Sequence, residues 1–171
     1  MVFRCSALLL MIYAATSTMR ELAIIADTSC LISLSRIDCL HILKDLYSEI
    51  YITYEIEIEF GEKLPEWILI RKVTDKKNKQ ILSAILDDGE ASAIALAYEF
   101  EKTLLILDDL KGRREALRLG FQITGTLGVL SKARSKGIIP FLKPYIDKLI
   151  AADFRISPEV LEELLIKSGE S

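Results

Sequence analysis

One three-layer α/β/α domain with a mainly parallel central sheet is the fold class that this sequence predicts, and three observations predict it. Short continuous apolar runs, Leu22 to Ala26 and Leu104 to Leu107, are bounded by polar residues, as strands covered by helices on both faces are. Stretches with helical apolar spacing lie between such runs, and alternating strands and helices stack as layers around a parallel sheet. The chain has 171 residues, 51% apolar and 27% charged, which suits one core rather than two and excludes the disordered and low-complexity classes.

In chain order, residues 1–18 stand apart. Arg4 precedes an apolar run from Cys5 to Ala15, and Thr16 and Ser17 follow, in the outline of a secretory signal peptide. The run is too short to span a bilayer. The preferred reading is an N-terminal extension, or an upstream start with the natural start at Met19, because Met19-Arg20-Glu21 leads straight into the first strand. The domain then occupies 19–171. Ile50 to Ile52 and Phe121 to Ile123 are weaker strand candidates.

Helices are expected over Leu31 to Tyr47 with a break near Ile37, over Lys76 to Leu86, and over Gly89 to Phe100 with Ala91, Ile94, Ala95 and Tyr98 on one face. Another runs from Arg113 to Leu119 and is closed by Gly120. Thr126 reads as the N-cap of a helix ending at Gly137, and Ser157 caps the last one with Pro158 at its first position. The segment from Ile52 to Phe60 is open to two readings. Strict alternation of Ile52, Tyr54, Ile56, Ile58 and Phe60 with Thr53, Glu55, Glu57 and Glu59 describes an amphipathic strand. A strand ending at Ile52, capped by Thr53 and followed by a helix, instead sets Glu55 and Glu59 on one face.

Composition narrows the chemistry. Three cysteines, Cys5, Cys30 and Cys39, form no C-x-x-C pair, so neither a disulfide framework nor a thiolate zinc site is supported, and a reducing, cytoplasmic setting is the default. His41 is the single histidine, and its apolar neighbours mark it as a packed or surface residue of a helix. An enzyme built from this chain must therefore work through carboxylates. A net charge of −3, from 22 Lys+Arg against 25 Asp+Glu, confines any nucleic-acid contact to a local patch.

Asp27 follows the first strand and Asp108 follows the strand Leu104 to Leu107, which sets both at the carboxyl edge of a parallel sheet, where open α/β folds hold their ligands. Each also suits a plain capping role, as do Asp109 and the pair Asp87 and Glu90. Acids gathered at one edge repel one another unless a cation is bound. Arg113, at the start of a helix beside these acids, suits a carboxylate or phosphate partner. Lys111 and Arg114 follow the Asp108 loop with it, and Lys132, Arg134 and Lys136 read more simply as solvated helix surface.

Four elements occur in order: Asp27-Thr28-Ser29-Cys30-Leu31-Ile32; Leu86-Asp87-Asp88-Gly89-Glu90-Ala91; Leu107-Asp108-Asp109 with Gly112-Arg113 and Ala116; and Gly125-Thr126-Leu127-Gly128. Together they resemble the PIN-domain superfamily, and more narrowly a prokaryotic branch of PIN proteins related to the VapC-type toxins, over about residues 22 to 168. The resemblance implies a Mg²⁺- or Mn²⁺-dependent ribonuclease, commonly the toxin of a toxin–antitoxin pair. It places metal ligation on Asp27, Glu90, Asp108 and the adjacent Asp109, and catalysis on Asp27, Glu59, Glu90 and Asp108. Glu59 matches the family's helical second acid, although the family's proline is absent and Glu55 and Glu57 compete. Thr28, Ser29 and Arg113 would serve the ligand shell and the substrate. RNA, a small antitoxin and a second copy of the chain are the implied partners, with no membrane. The alternative from the residues themselves is a PIN-like interaction module whose acids are caps and surface charge. A receiver-domain reading fails because only one acid follows the first strand.

Overall fold

The computed structural model describes residues 22–170, so the readings of residues 1–18 and of Met19 as a start lie outside the described residues. Five strands, β1 (Ala23–Ala26), β2 (Ile50–Thr53), β3 (Ile68–Arg71), β4 (Thr103–Ile106) and β5 (Gln122–Thr124), form one sheet in the order β3-β2-β1-β4-β5. Every pairing is parallel, with Ala23 opposite Thr103 and Thr53 opposite Arg71. Because β1 has β2 on one side and β4 on the other, the order reverses direction between β1 and β4, the switch point whose carboxyl edge holds the ligand in open α/β sheets.

Nine helices are described: α1 (Thr28–Arg36), α2 (His41–Tyr47), α3 (Tyr54–Phe60), α4 (Lys76–Leu82), α5 (Asp88–Ala97), α6 (Leu110–Arg118), α7 (Thr126–Ser135), α8 (Lys143–Ala151) and α9 (Pro158–Ser168). Helices α3 to α6 form one layer and α1, α2 and α7 to α9 the other, with α1 and α3 meeting at the carboxyl edge. The sheet carries the core: Ile25, Ile50, Ile52, Leu105 and Ile106 are wholly buried, as are Ile94 and Leu96 of α5. Each such side chain contributes about 1.5–3 kcal/mol on leaving water.

The segment from Ile52 to Phe60 splits as the second reading has it. β2 ends at Thr53, whose hydroxyl accepts from Ile56 N at 3.3 Å and caps α3, and Gly61 closes the helix at φ 69°. The helix buries Ile56 and Phe60, and Thr53 is fixed from α5 by a 2.6 Å contact with the Ser92 hydroxyl. Tyr54 and Ile58 stay 58% and 63% exposed, so the apolar alternation is left half unburied in exchange for that docking.

Several local expectations shift. The first helix starts at Thr28 rather than Leu31, because Asp27 accepts from Cys30 N at 3.0 Å. The N-cap position ahead of α7 belongs to Gly125, and Thr126 is the first helical residue. β3 and α8 had no sequence expectation.

Candidate active site

The polarity of the sheet builds the site. Helices α1, α3, α6 and α7 begin directly after the carboxyl ends of β1, β2, β4 and β5, and α5 points its own N-terminus to the same place. Exposed N–H groups and the positive ends of helix dipoles therefore converge on one edge, where they favour carboxylates.

Asp27 is 1% exposed. Its Oδ1 accepts from Cys30 N, and its Oδ2 is buried with no hydrogen-bond partner. Burial pushes its pKa up to about 7; the Cys30 N–H opposes the shift, and the charges of Asp108 and Glu90 add to it. Glu90, in the first turn of α5, is also pushed up to about 7, by burial first and then by the charges of Asp109 and Asp87. Both shifts come first from burial and then from acids crowding one another.

Asp108 is oriented by Thr126, whose N–H donates to Oδ1 at 2.8 Å and whose hydroxyl donates to Oδ2. Asp109 caps α6, accepting from Lys111 N at 2.7 Å and Gly112 N at 3.2 Å. Burial opposes its ionisation, but these N–H donors outweigh it and hold its pKa below the usual value.

Glu59 is the glutamate of α3 tied to the start of α1: its Oε2 accepts from the Thr28 hydroxyl at 2.7 Å. Glu55 turns away to Lys79, at 2.6 Å. Thr28 is buried, whereas Ser29 is exposed. Arg113 donates from Nη1 to the Leu107 carbonyl at 2.8 Å, which ties it to the end of the β4 segment beside Asp108.

Sequence reasoning missed a set of glycines that admit these acids. A Cβ on Gly89 would sit 2.6 Å from Glu59 Oε2, and one on Gly112 would sit 3.0 Å from Glu90 Cδ. A Cβ on Gly125 would lie 2.8 Å from Asp108 Oδ1 and 2.9 Å from Arg113 Nη1. None of the three has a left-handed backbone, so their need is clearance rather than φ. The signal was present as glycines next to acids at helix starts, but the clearance exists only across elements.

The sequence model of a family described as PIN domain matches residues 23–170. The chain belongs to the PIN-domain family. This PIN domain therefore has a fold of nuclease type, and the family's members generally use divalent metal ions. No curated protein matches the chain.

The edge suits such an ion in its donor chemistry. Carboxylate oxygens are hard donors, Asp27 Oδ2 is an unpartnered buried acceptor, and Asp27 and Glu90 are crowded by further acids, an arrangement that a cation relieves. Among the described residues, no three His, Cys, Asp or Glu side chains stand close enough to enclose an ion directly. Mg²⁺ is bound through one or two carboxylates and keeps several waters, so an open set of acids accommodates it. No helix among the described residues is long and apolar enough to cross a membrane.

Proposed function

We propose that this PIN domain is a Mg²⁺- or Mn²⁺-dependent endoribonuclease that hydrolyses RNA phosphodiester bonds, and that it acts in the cytoplasm as the toxin of a toxin–antitoxin pair. The observation that carries the reading is the buried, unpartnered Oδ2 of Asp27 at the point where the strand order reverses, with Glu90 and Asp108 beside it. A carboxylate in such a place costs stability unless something cationic meets it, so its presence calls for a function.

Asp27, Glu90 and Asp108 would hold the ion, directly or through water, with Asp109 reaching it through water. When bound, Mg²⁺ or Mn²⁺ supplies charge for the phosphate oxygens and lowers the pKa of a coordinated water. Hydrolysis forms a bond from water oxygen to phosphorus and breaks a phosphorus–ester bond, and the attacking water must give up a proton. Glu59 would take that proton, a role supported by the Thr28 hydroxyl that fixes one of its oxygens and by its exposed side chain. Thr126 holds Asp108 in one orientation through both oxygens. Arg113, anchored by one nitrogen to the Leu107 carbonyl, offers its remaining N–H groups to a phosphate. Ser29 is exposed at the start of α1 and would meet substrate rather than brace the acids. A small antitoxin and a second copy of the chain complete the proposed partners.

The test is cleavage of a mixed RNA substrate by the purified protein with Mg²⁺, with Mn²⁺ and with chelator, beside an Asp27→Asn variant. Metal-dependent cleavage that the variant lacks supports the nuclease. The second reading, an inactive interaction module, is favoured by the absence of an enclosing acid triad among the described residues. It wins if well-folded protein neither cleaves nor gains thermal stability on metal addition.

A further inference from the structure

We propose that the cleft between the end of β3 and helix α4 is a phosphate track that leads a single RNA strand to the acidic edge, an inference that rests on the nuclease reading above. Residues 71–80 hold Arg71, Lys72, Lys76, Lys77 and Lys79 against one acid, Asp75, in a chain whose net charge is −3. Those ten residues therefore carry a net charge of +4 in a chain that is negative overall.

The fold shapes that charge into a concave surface. Lys72, Lys76 and Lys79 line a cleft of about 360 Å³, with Glu55, Gln80 and Ser83 on its walls. Two of the five cations are engaged internally. Arg71 lies over the Tyr51 ring at 5.5 Å, and Lys79 bridges Glu55 at 2.6 Å and Asp88 at 3.1 Å. Lys72, Lys76 and Lys77 make no ion pair among the described residues. Unanswered cations along one short segment repel each other, and a polyanion relieves that repulsion while releasing its own counterions.

Two observations aim the cleft at the site. Thr53 and Arg71 are paired in the parallel ladder, so the chain leaves β3 at Lys72 on the same edge where β2 delivers α3 and its Glu59. Lys79 then ties α4 to both helices that carry site acids, through Glu55 on α3 and Asp88 on α5. Glu55 is the one carboxylate among the residues that line the cleft, and Lys79 pairs with its Oε1 while its Oε2 is buried without a hydrogen-bond partner. The free lysines are spread along the cleft and the start of α4, so a single small anion meets one of them, whereas a strand with repeated phosphates meets several at once.

The experiment measures binding of a fluorescent single-stranded RNA to the full chain in chelator, which keeps the strand intact, over a series of salt concentrations. Lys72→Ala/Lys76→Ala is expected to weaken binding roughly tenfold and to flatten the plot of log affinity against log salt by about 1.4, two contacts at about 0.7 each. Lys44→Ala/Lys102→Ala removes the same charge from elsewhere on the surface and should leave the slope alone. Unfolding curves show that each variant is folded, and Lys72→Arg/Lys76→Arg should restore affinity. No RNA binding by the parent chain, or an unchanged slope in the folded double alanine variant, overturns the track. RNA bound with the expected slopes but never cleaved in Mg²⁺ or Mn²⁺ keeps the track and sinks the nuclease reading. Cleavage with unchanged slopes does the reverse.

Discussion

The two edges of the sheet are opposites. At the carboxyl edge, acids sit among helix N-termini, one of them buried with an oxygen unanswered. At the amino edge lies a much larger concavity, about 1420 Å³, walled by Tyr47, Tyr51, Tyr98, Phe100 and Phe121. Its aromatics satisfy one another: Tyr51 and Phe100 are 5.1 Å apart, and Tyr98 meets Phe121 edge-on at 4.8 Å. Size alone would select the wrong edge. A parallel sheet sends the helices that follow its strands one way, so α1, α3, α6 and α7 gather N–H donors that can orient and stabilise carboxylates at the carboxyl edge.

The comparison breaks most directly at Asp27. Asp27→Asn keeps the shape and the Cys30 cap while removing the charge, and cleavage should fall by at least about a hundredfold, since losing even a supporting partner of a metal ligand costs 10–100-fold. The unfolding temperature in the absence of metal should hold or rise. Cleavage at the parental rate would remove the carboxyl edge from the chemistry.

The second effect is on stability against pH. Asp27 and Glu90 have folded pKa values of about 7 against ordinary values of 3.8 and 4.5. Between those limits the folded state binds more protons than the unfolded one, so stability is fully present at low pH and is lost as pH rises toward 7. The loss is on the order of a few kcal/mol. Asp109 and Glu170, whose pKa values are lowered, act oppositely and only below their ordinary range. Denaturant unfolding from pH 4.5 to 8 should show the decline, Asp27→Asn should flatten it, and Mn²⁺ should restore stability more at pH 8 than at pH 5. A curve that rises steadily over that range would contradict the assignment.

Gly89→Ala sharpens the contrast further. The new Cβ would displace the Glu59 carboxylate, the far end of a flexible side chain, while a helical Gly→Ala change itself favours folding by up to about 1 kcal/mol. Cleavage should drop roughly tenfold with stability unchanged or higher. A variant that loses stability and keeps full activity would show that Gly89 serves packing alone. The smallest effect belongs to the other edge. Phe121→Leu should cost about 1 kcal/mol, the worth of an edge-on aromatic pair, with cleavage per folded molecule unchanged.

Much of the carboxyl edge was legible because its logic is local. Asp27 and Asp108 follow their strands closely, so their meeting required only that the strands be parallel, whereas Glu90 arrives on α5, whose N-terminus points to the same edge. The choice among Glu55, Glu57 and Glu59 was not legible. All three lie within five residues, and only the neighbours differ: Lys79 for Glu55, and Thr28 with Gly89 for Glu59. Arg113 was expected near a carboxylate or phosphate, and within the fold it is the Leu107 carbonyl that holds it.

The sequence by itself determined the layered α/β class, four of the five strands and the strand-end acids, because apolar runs, caps and breakers act over a few residues. Tertiary structure alone decided that Tyr54 to Phe60 turns helical, that Ile68 to Arg71 becomes the edge strand β3, and which glycines clear space for which acids. Alternation is equally compatible with a strand until Ile56 and Phe60 find a buried site between α5 and the sheet. Such choices are settled by the burial of one element against another, and that energy is absent from any short stretch of chain.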